Sequence, residues 1–323
     1  MLPVKFVLHA IASDIVQNKK IPSLETARTI AGEQGSLFAT KIYRDGDYGK
    51  FRSDWEDGRR YRILVGFPKT RDVVKEQPKI KKYSGRGRSN ATLERNGFSS
   101  TGEYLAHCSE LVLDEGLFPH TNAGNLNKSE MNDLKKTNVS MGLMLENSSH
   151  RLLEKGMPHH DAPSKDPKAR IQILKNAGEL KIPMTTGILV GIGENDHEII
   201  DSLFTIKTLH EQFENIQEVI LQNFEPKQDT KMKEHPSTPQ QYFKRVVAMA
   251  RIILPEMNIQ IPPNLSPDNY NDFLDVGIND WGGISPITVD YVNPEFAWPQ
   301  INTLENKCAE QSFELKARFP VYP

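Results

Sequence analysis

The sequence predicts an α/β fold, a partial (β/α) barrel of the triosephosphate isomerase type. Three observations carry this expectation. From residue 97 onward, short apolar runs alternate with segments of helical periodicity, the pattern of parallel strands joined by crossover helices. Polar residues collect directly behind those runs, where a barrel builds its site from the loops at the carboxyl ends of its strands. About six such units are legible, fewer than the eight of a complete barrel. The length of 323 residues, 37% hydrophobic and 25% charged, is ample for a core of this size.

The units follow in order. Ser99, Ser100 and Thr101 cap a helix reading GEYLAHCSELVLDEG, with Leu105, Cys108, Leu111 and Val112 on one face. Cys108 is therefore expected in the core and not as a nucleophile. Gly116 ends this helix, and the chain turns at Pro119 towards His120, at a strand end. A strand from Val139 to Leu145 ends at Glu146 and Asn147, and one from Ile182 to Val190 ends at Gly191 to Glu194. The next run from Ile216 to Leu221 ends at Gln222 and Asn223, and Ile259 to Ile261 ends at Pro262, Pro263 and Asn264. The last run, Gly277 to Asn279, ends at Asp280, Trp281 and two glycines. Helices are expected over 126–137, 166–180, 196–213, 238–254 and 268–276.

The chain ahead of these units has a different texture. Residues 3–35 read as two helical segments. Residues 41–90 then hold 15 Lys and Arg against 7 Asp and Glu, a balance of +8, while the rest of the chain carries −10. Apolar residues there keep neither the helix nor the strand period beyond Ile63, Leu64 and Val65. Such a stretch can bind RNA through phosphate contacts and stacking. No RNA-binding module accompanies it, and charge runs are usually solvated faces, so nucleic acid is not expected as a partner. Three regions result: an N-terminal helical segment (1–35), an atypical basic segment (36–92), and the partial barrel with a C-terminal extension (93–323).

Several classes are excluded. No run of about 18 apolar residues is present, so no membrane helix is expected. Lys5 and His9 interrupt the apolar N-terminus, which lacks a small-residue cleavage site, so a cytoplasmic location is expected. Two cysteines, Cys108 and Cys308, allow one disulfide at most. They cannot make a four-thiolate zinc site or the three-thiolate clamp of an iron–sulfur cluster.

The strand-end residues carry the candidate chemistry. Glu146 can accept from a ribose hydroxyl or an amino group, or pair with a neighbouring cation. The stretch GILVGIGEN, 187–195, offers bare backbone to a ligand, but lacks the third glycine of a dinucleotide fingerprint. Gln222 and Asn223 suit the edge of a heterocycle. Asn264 stands in a rigid turn. Asp280 and Trp281 suit a planar ligand, with core filling the plain alternative for Trp281. The run His159, His160 and Asp161 lies between Pro158 and Pro163 and reads as a solvated loop, because neither H-x-H nor H-E-x-x-H is present. A metal-dependent barrel hydrolase using His120 and that His pair is an alternative. No metal ligands are assigned, and no G-x-S-x-G elbow or P-loop occurs.

The stretches 118–124, 140–146, 186–194, 217–224, 262–265, 277–286 and 318–322 occur in this order in one family. The chain resembles the first subunit of FO synthase, 7,8-didemethyl-8-hydroxy-5-deazariboflavin synthase, a radical S-adenosylmethionine (SAM) family of archaea and actinobacteria. The resemblance runs from about Leu93 to Pro323 and, more weakly, over 5–35. It implies a carbon–nitrogen lyase of deazaflavin coenzyme biosynthesis. In that family a 4Fe–4S cluster cleaves SAM. The resulting radical acts on a tyrosine–ribitylaminouracil adduct supplied by the second subunit, and the ring closes with loss of ammonia. By resemblance, Asn122, Glu146, Gly187, Leu189, Gly191 and Glu194 bind SAM, and Gln222, Asn223, Asn264, Asp280 and Trp281 face the adduct.

The chain departs from the family in one respect. The family's C-x-x-x-C-x-x-C, which holds three irons, has no counterpart, because residues 36–92 contain no cysteine. Glu76, Gln77 and Pro78 stand like the family's Gly-Glu-x-Pro turn, with Lys75 in place of the glycine. Residues 36–92 therefore read as a frameshifted or internally deleted form of the first barrel units. A cluster-less relative, inactive or acting as a scaffold that binds SAM or the adduct, is the second functional reading.

Overall fold

The computed structural model describes residues 41–45 and 97–322, apart from 115–117, 161, 229, 285–289 and 291. The expectations for 1–35, for Ile63 to Val65 and for Glu76 to Pro78 lie outside the described residues. Among the described residues, strand β1 (Lys41–Asp45) precedes helix α1 (Thr101–Asp114), β2 (His120–Thr121), α2 (Lys128–Leu134) and β3 (Ser140–Gly142). Helix α3 (Pro167–Glu179), β4 (Met184–Val190), α4 (Asp196–Phe213) and β5 (Ile216–Asn223) follow. The chain continues through α5 (Gln240–Ile253), β6 (Asn258–Gln260), α6 (Ile301–Glu310) and β7 (Glu314–Arg318).

Strands β2 to β6 form one parallel sheet in sequence order. Each neighbouring pair from β2 on is joined through a helix, as in a barrel wall. A second parallel pair joins β1 to β7, from Lys41 opposite Glu314 to Asp45 opposite Arg318.

Local sequence explains the helices. Asn127 and Asn195 each accept from the third helical backbone amide, Glu130 or Glu198, whose side chain returns a bond to the cap amide. These are capping boxes, which satisfy two orphan donors at once. Asp166 caps α3 ahead of Pro167, whose missing N–H costs nothing at that position. Ser100 caps α1 through the amide of Glu103 at 3.1 Å. Leu105, Cys108 and Val112 of that helix are buried as its periodicity predicts.

One face of the sheet packs under the helices. Met184, Ile188 and Val190 of β4 and Val219 and Leu221 of β5 belong to one buried cluster with Ile199, Leu203, Val246 and Ile253. Each such side chain contributes about 1.5–3 kcal/mol on burial. The opposite residues of β4 and β5 alternate inwards, where Leu189, Ile220 and Gln222 are only half-buried. Gly187 lies on that inner row, opposite Ile220. A Cβ there would meet the Ile220 carbonyl oxygen at 2.1 Å, a backbone atom that cannot step aside. Gly187→Ala is expected to cost about 1–3 kcal/mol by overpacking, read as a lower urea midpoint at unchanged slope.

The inner end of the sheet is closed by the C-terminal segment. The Pro320 carbonyl accepts from Ser140 Oγ at 2.7 Å and from Gln217 Nε2 at 2.9 Å, so residues 318–322 run beneath the starts of β3 and β5. Arg318 donates to Asp280 Oδ2 at 2.5 Å and to Glu218 Oε2 at 2.7 Å. Tyr322 Oη donates towards the same two oxygens at 2.6 and 2.8 Å. Thr185 Oγ1 reaches Glu218 Oε1 at 2.8 Å. All three charged side chains are buried. Burial pushes the Asp280 carboxyl up to about 6, against the pull of Arg318.

The helical segment expected at 268–276 is a 3-10 helix, Tyr270–Val276. Two local expectations are corrected. Residues 277–279 form no ladder; a single bridge joins Gln260 to Asp280. Strand β1 falls where no period is legible, because its partner β7 lies far along the chain.

Candidate functional site

The loops at the carboxyl ends of β2 to β6 bring most of the strand-end residues to one rim. Glu146 lies beyond β3, but its backbone still bridges Ile188 of β4. Its amide donates to the Gly187 carbonyl and its carbonyl accepts from Leu189, both at 3.0 Å. Its φ of 67° is left-handed, a conformation that costs a non-glycine residue energy and that sites often retain. The carboxylate pairs with Lys165. Beside it, Arg170 is buried and holds the carbonyls of Met144 and Ser164. His159 is buried too, and burial lowers its pKa against the pull of Glu146. The solvated loop expected there is thus partly interior. No group of three metal-binding side chains occurs among the described residues.

The glycine loop after β4 is held from within. Gly191 has a φ of 95°, and a Cβ there would sit 2.1 Å from Thr238 Oγ1. The Glu194 carboxylate accepts from the amides of Gly191 at 2.6 Å and Ile192 at 2.8 Å. Arg151 braces the loop by donating to the Gly193 carbonyl and pairing with Glu198. That pair holds the Glu198 carboxyl down at about 2.

On β2, His120 is buried, and Asn122 follows at the rim. Ser140 Oγ gives its proton to the Pro320 carbonyl, so it accepts from His120 Nδ1 across 2.7 Å. A Cβ on Gly142 would lie 3.1 Å from His120 Nε2 and 3.3 Å from the Asn122 side chain, so all three crowd one spot. Gln222 is half-buried on the inner row, and Asn223 and Asn264 are buried at the ends of the neighbouring β5 and β6 units.

Asp280 and Trp281 stand apart from this rim. Asp280 is engaged by Arg318, Tyr322 and the Gly282 amide. Trp281 packs edge-on against Tyr270 and donates its indole N–H to Cys308 Sγ at 3.4 Å. The residues that sequence reasoning missed are Lys165, Arg170, Glu218 and Tyr322. Lys165 leaves no signal, ending the short 3-10 turn Pro163–Lys165 that follows no apolar run. Tyr322 and Glu218 fall inside family-like stretches, but the phenol and the carboxylate meet only in three dimensions.

No protein-family model matches the chain. It is 47% identical over 232 residues to the 7,8-didemethyl-8-hydroxy-5-deazariboflavin synthase of Methanopyrus kandleri, covering 72% of this chain and 70% of that one. The chain belongs to this family. The synthase of Methanocaldococcus jannaschii is 48% identical over 71% of this chain and 64% of its own length. That of Methanococcus aeolicus is 44% identical over 78% and 68%. The chain therefore matches about two thirds of the length of these relatives.

Solved structures agree on the fold. Methylornithine synthase superposes with a TM-score of 0.64 at 15% identity, covering 91% of this chain and 89% of that one. The FeFe-hydrogenase maturase HydG from Carboxydothermus hydrogenoformans gives 0.58 at 15% identity, over 97% and 80%. The fold is accordingly a partial (β/α) barrel, five contiguous wall strands of which are β2 to β6. No helix among the described residues is long and apolar enough to cross a membrane.

Proposed function

We propose that this FO synthase family member serves the ring-closing, ammonia-releasing step of deazaflavin biosynthesis, and that its rim binds SAM and the tyrosine–ribitylaminouracil adduct. The reading rests on one juxtaposition: in a chain 47% identical to a named synthase, Glu146 is held left-handed against the bare Gly187 segment of β4. Glu146 and Asn122 would take the polar groups of SAM. Gly187, Leu189 and Gly191 would supply backbone and an apolar face for its adenosyl half, and Glu194 would act by shaping the turn it caps. Gln222, Asn223 and Asn264 would meet the adduct. Asp280 and Trp281 would support these groups from beneath as positioning residues. The partner is the second subunit, which supplies the adduct, and the expected compartment is the cytoplasm.

The family's 4Fe–4S cluster supplies the electron that cleaves SAM. The residues present do not fit it. Cys108 lies buried on α1 and Cys308 buried on α6 against Trp281, and no third cysteine exists in the sequence.

The test is calorimetric titration with S-adenosylhomocysteine. Wild-type chain is expected to bind, and Glu146→Gln to weaken binding about tenfold, the equivalent of one charged hydrogen bond. Unchanged affinity in that variant, or no binding by the wild type, would sink the SAM site.

A further inference from the structure

Two buried asparagines in this rim leave the same kind of atom unused. Asn223 closes β5 and Asn264 sits in the 3-10 turn Pro263–Leu265 behind β6. They are linked, since Asn223 Nδ2 donates to the carbonyl of Leu265 at 3.0 Å. Its other N–H faces Glu225 Oε1 at 3.1 Å. Asn264 Nδ2 likewise faces two acceptors, Asp290 Oδ2 at 3.0 Å and the Phe296 carbonyl at 3.4 Å.

These neighbours fix both amides. Turning either over would press its oxygen against two acceptors, so the orientation follows from chemistry. The donor capacity of each side chain is spent. Both Oδ1 atoms are buried without a partner, on residues only 4% and 1% exposed. An unpaired buried carbonyl is costly, and native chains rarely keep one without a use. Here two occur on adjacent loops of one rim.

We propose that Asn223 and Asn264 form an acceptor-only subsite, which takes a ligand edge carrying two hydrogen-bond donors, N–H or O–H. An aminated heterocycle or a polyol chain has that edge, and a carbonyl edge is rejected. The proposal rests on reading the rim as a binding site and adds the polarity of one part of it. Asp290 and Glu225 act as positioning residues that hold the two amides in place.

The experiment compares two probes by titration calorimetry: 5-amino-6-(ribitylamino)uracil, and 6-(pentylamino)uracil, which lacks the amine and the hydroxyls. Wild-type chain is expected to bind the first at least tenfold tighter. In Asn223→Leu and Asn264→Leu the ratio is expected to fall towards one, while S-adenosylhomocysteine affinity stays unchanged. A wild-type chain that does not discriminate overturns the proposal, and so does a ratio that survives in folded variants. That result would mean the two carbonyls serve ordered water only. The wild-type ratio decides the matter alone where a leucine variant does not fold. Binding of S-adenosylhomocysteine with no binding of the donor-rich probe overturns the subsite and leaves the SAM reading standing. Failure of both ligands overturns the two together.

Discussion

Arg318→Met is expected to lower stability by about 3–5 kcal/mol, the cost of stripping one partner from a buried ion pair. The wild-type guanidinium is shared between Glu218 and Asp280, and neither carboxylate has access to water. Tyr322 supplies neutral hydrogen bonds to the same two oxygens and Thr185 one to the other oxygen of Glu218, but neither brings a compensating charge. Methionine fills much of the volume, so the loss reads on charge more than on packing. Urea unfolding measures it directly.

The pH dependence gives a sharper signature. An unfolded aspartate titrates near 3.9, whereas burial raises Asp280 to about 6 in the folded chain. The folded state thus binds more protons between about pH 4 and 6, and this group's contribution to stability falls as pH rises through that window. Without Arg318 the downward pull on Asp280 is gone, and the window extends to higher pH. The variant should therefore lose more stability at pH 8 than at pH 5. An equal loss at both would show that the two carboxylates do not depend on Arg318.

Anaerobic reconstitution with iron and sulfide is expected to yield no 4Fe–4S cluster. Three thiolates must converge on three irons, and the chain has two cysteines. Both are helical core residues, and burial pushes the Cys108 thiol up to about 11 and raises that of Cys308 as well. Both favour the neutral thiol, which is a poor ligand. Iron content far below four per chain, without broad visible absorbance, is the expected result. Near-stoichiometric iron would show that other ligands assemble the cluster. The origin of residues 36–92 is open to a separate test, reading the coding DNA in its other frames. If none contains C-x-x-x-C-x-x-C and close relatives carry the same segment, the frameshift idea fails.

Much of the wall was legible because its signals are local. The apolar runs at 182–190 and 216–221 and the helices at 166–180 and 196–213 announce themselves by period and cap. The structure has β4, β5, α3 and α4 within a few residues of those limits. The helical segment at 268–276 was legible too, but not its type, a 3-10 helix over Tyr270–Val276, because the apolar spacing fits both types. Glu146, Gln222, Asn223 and Asn264 were legible as candidates from their place behind a strand. Lys165 and Arg170 were not, since neither follows an apolar run: Lys165 ends the 3-10 turn Pro163–Lys165 and Arg170 lies in the first turn of α3, and their partners lie elsewhere in sequence.

The sequence by itself determined the parallel α/β wall, the family and the lack of a third cysteine, because each is written in spacing, residue type or count. Tertiary structure alone decided which polar residues serve the rim and which serve the interior. Asp280 and Glu146 look alike as carboxylates behind apolar runs. Asp280 meets Arg318 and Tyr322, brought beneath the sheet from the chain's end, and is spent on a buried charge network. Glu146 stays at the rim, bridged to β4 through its backbone and paired with Lys165. Long-range pairing of charges leaves no periodic trace, so only the fold could separate them.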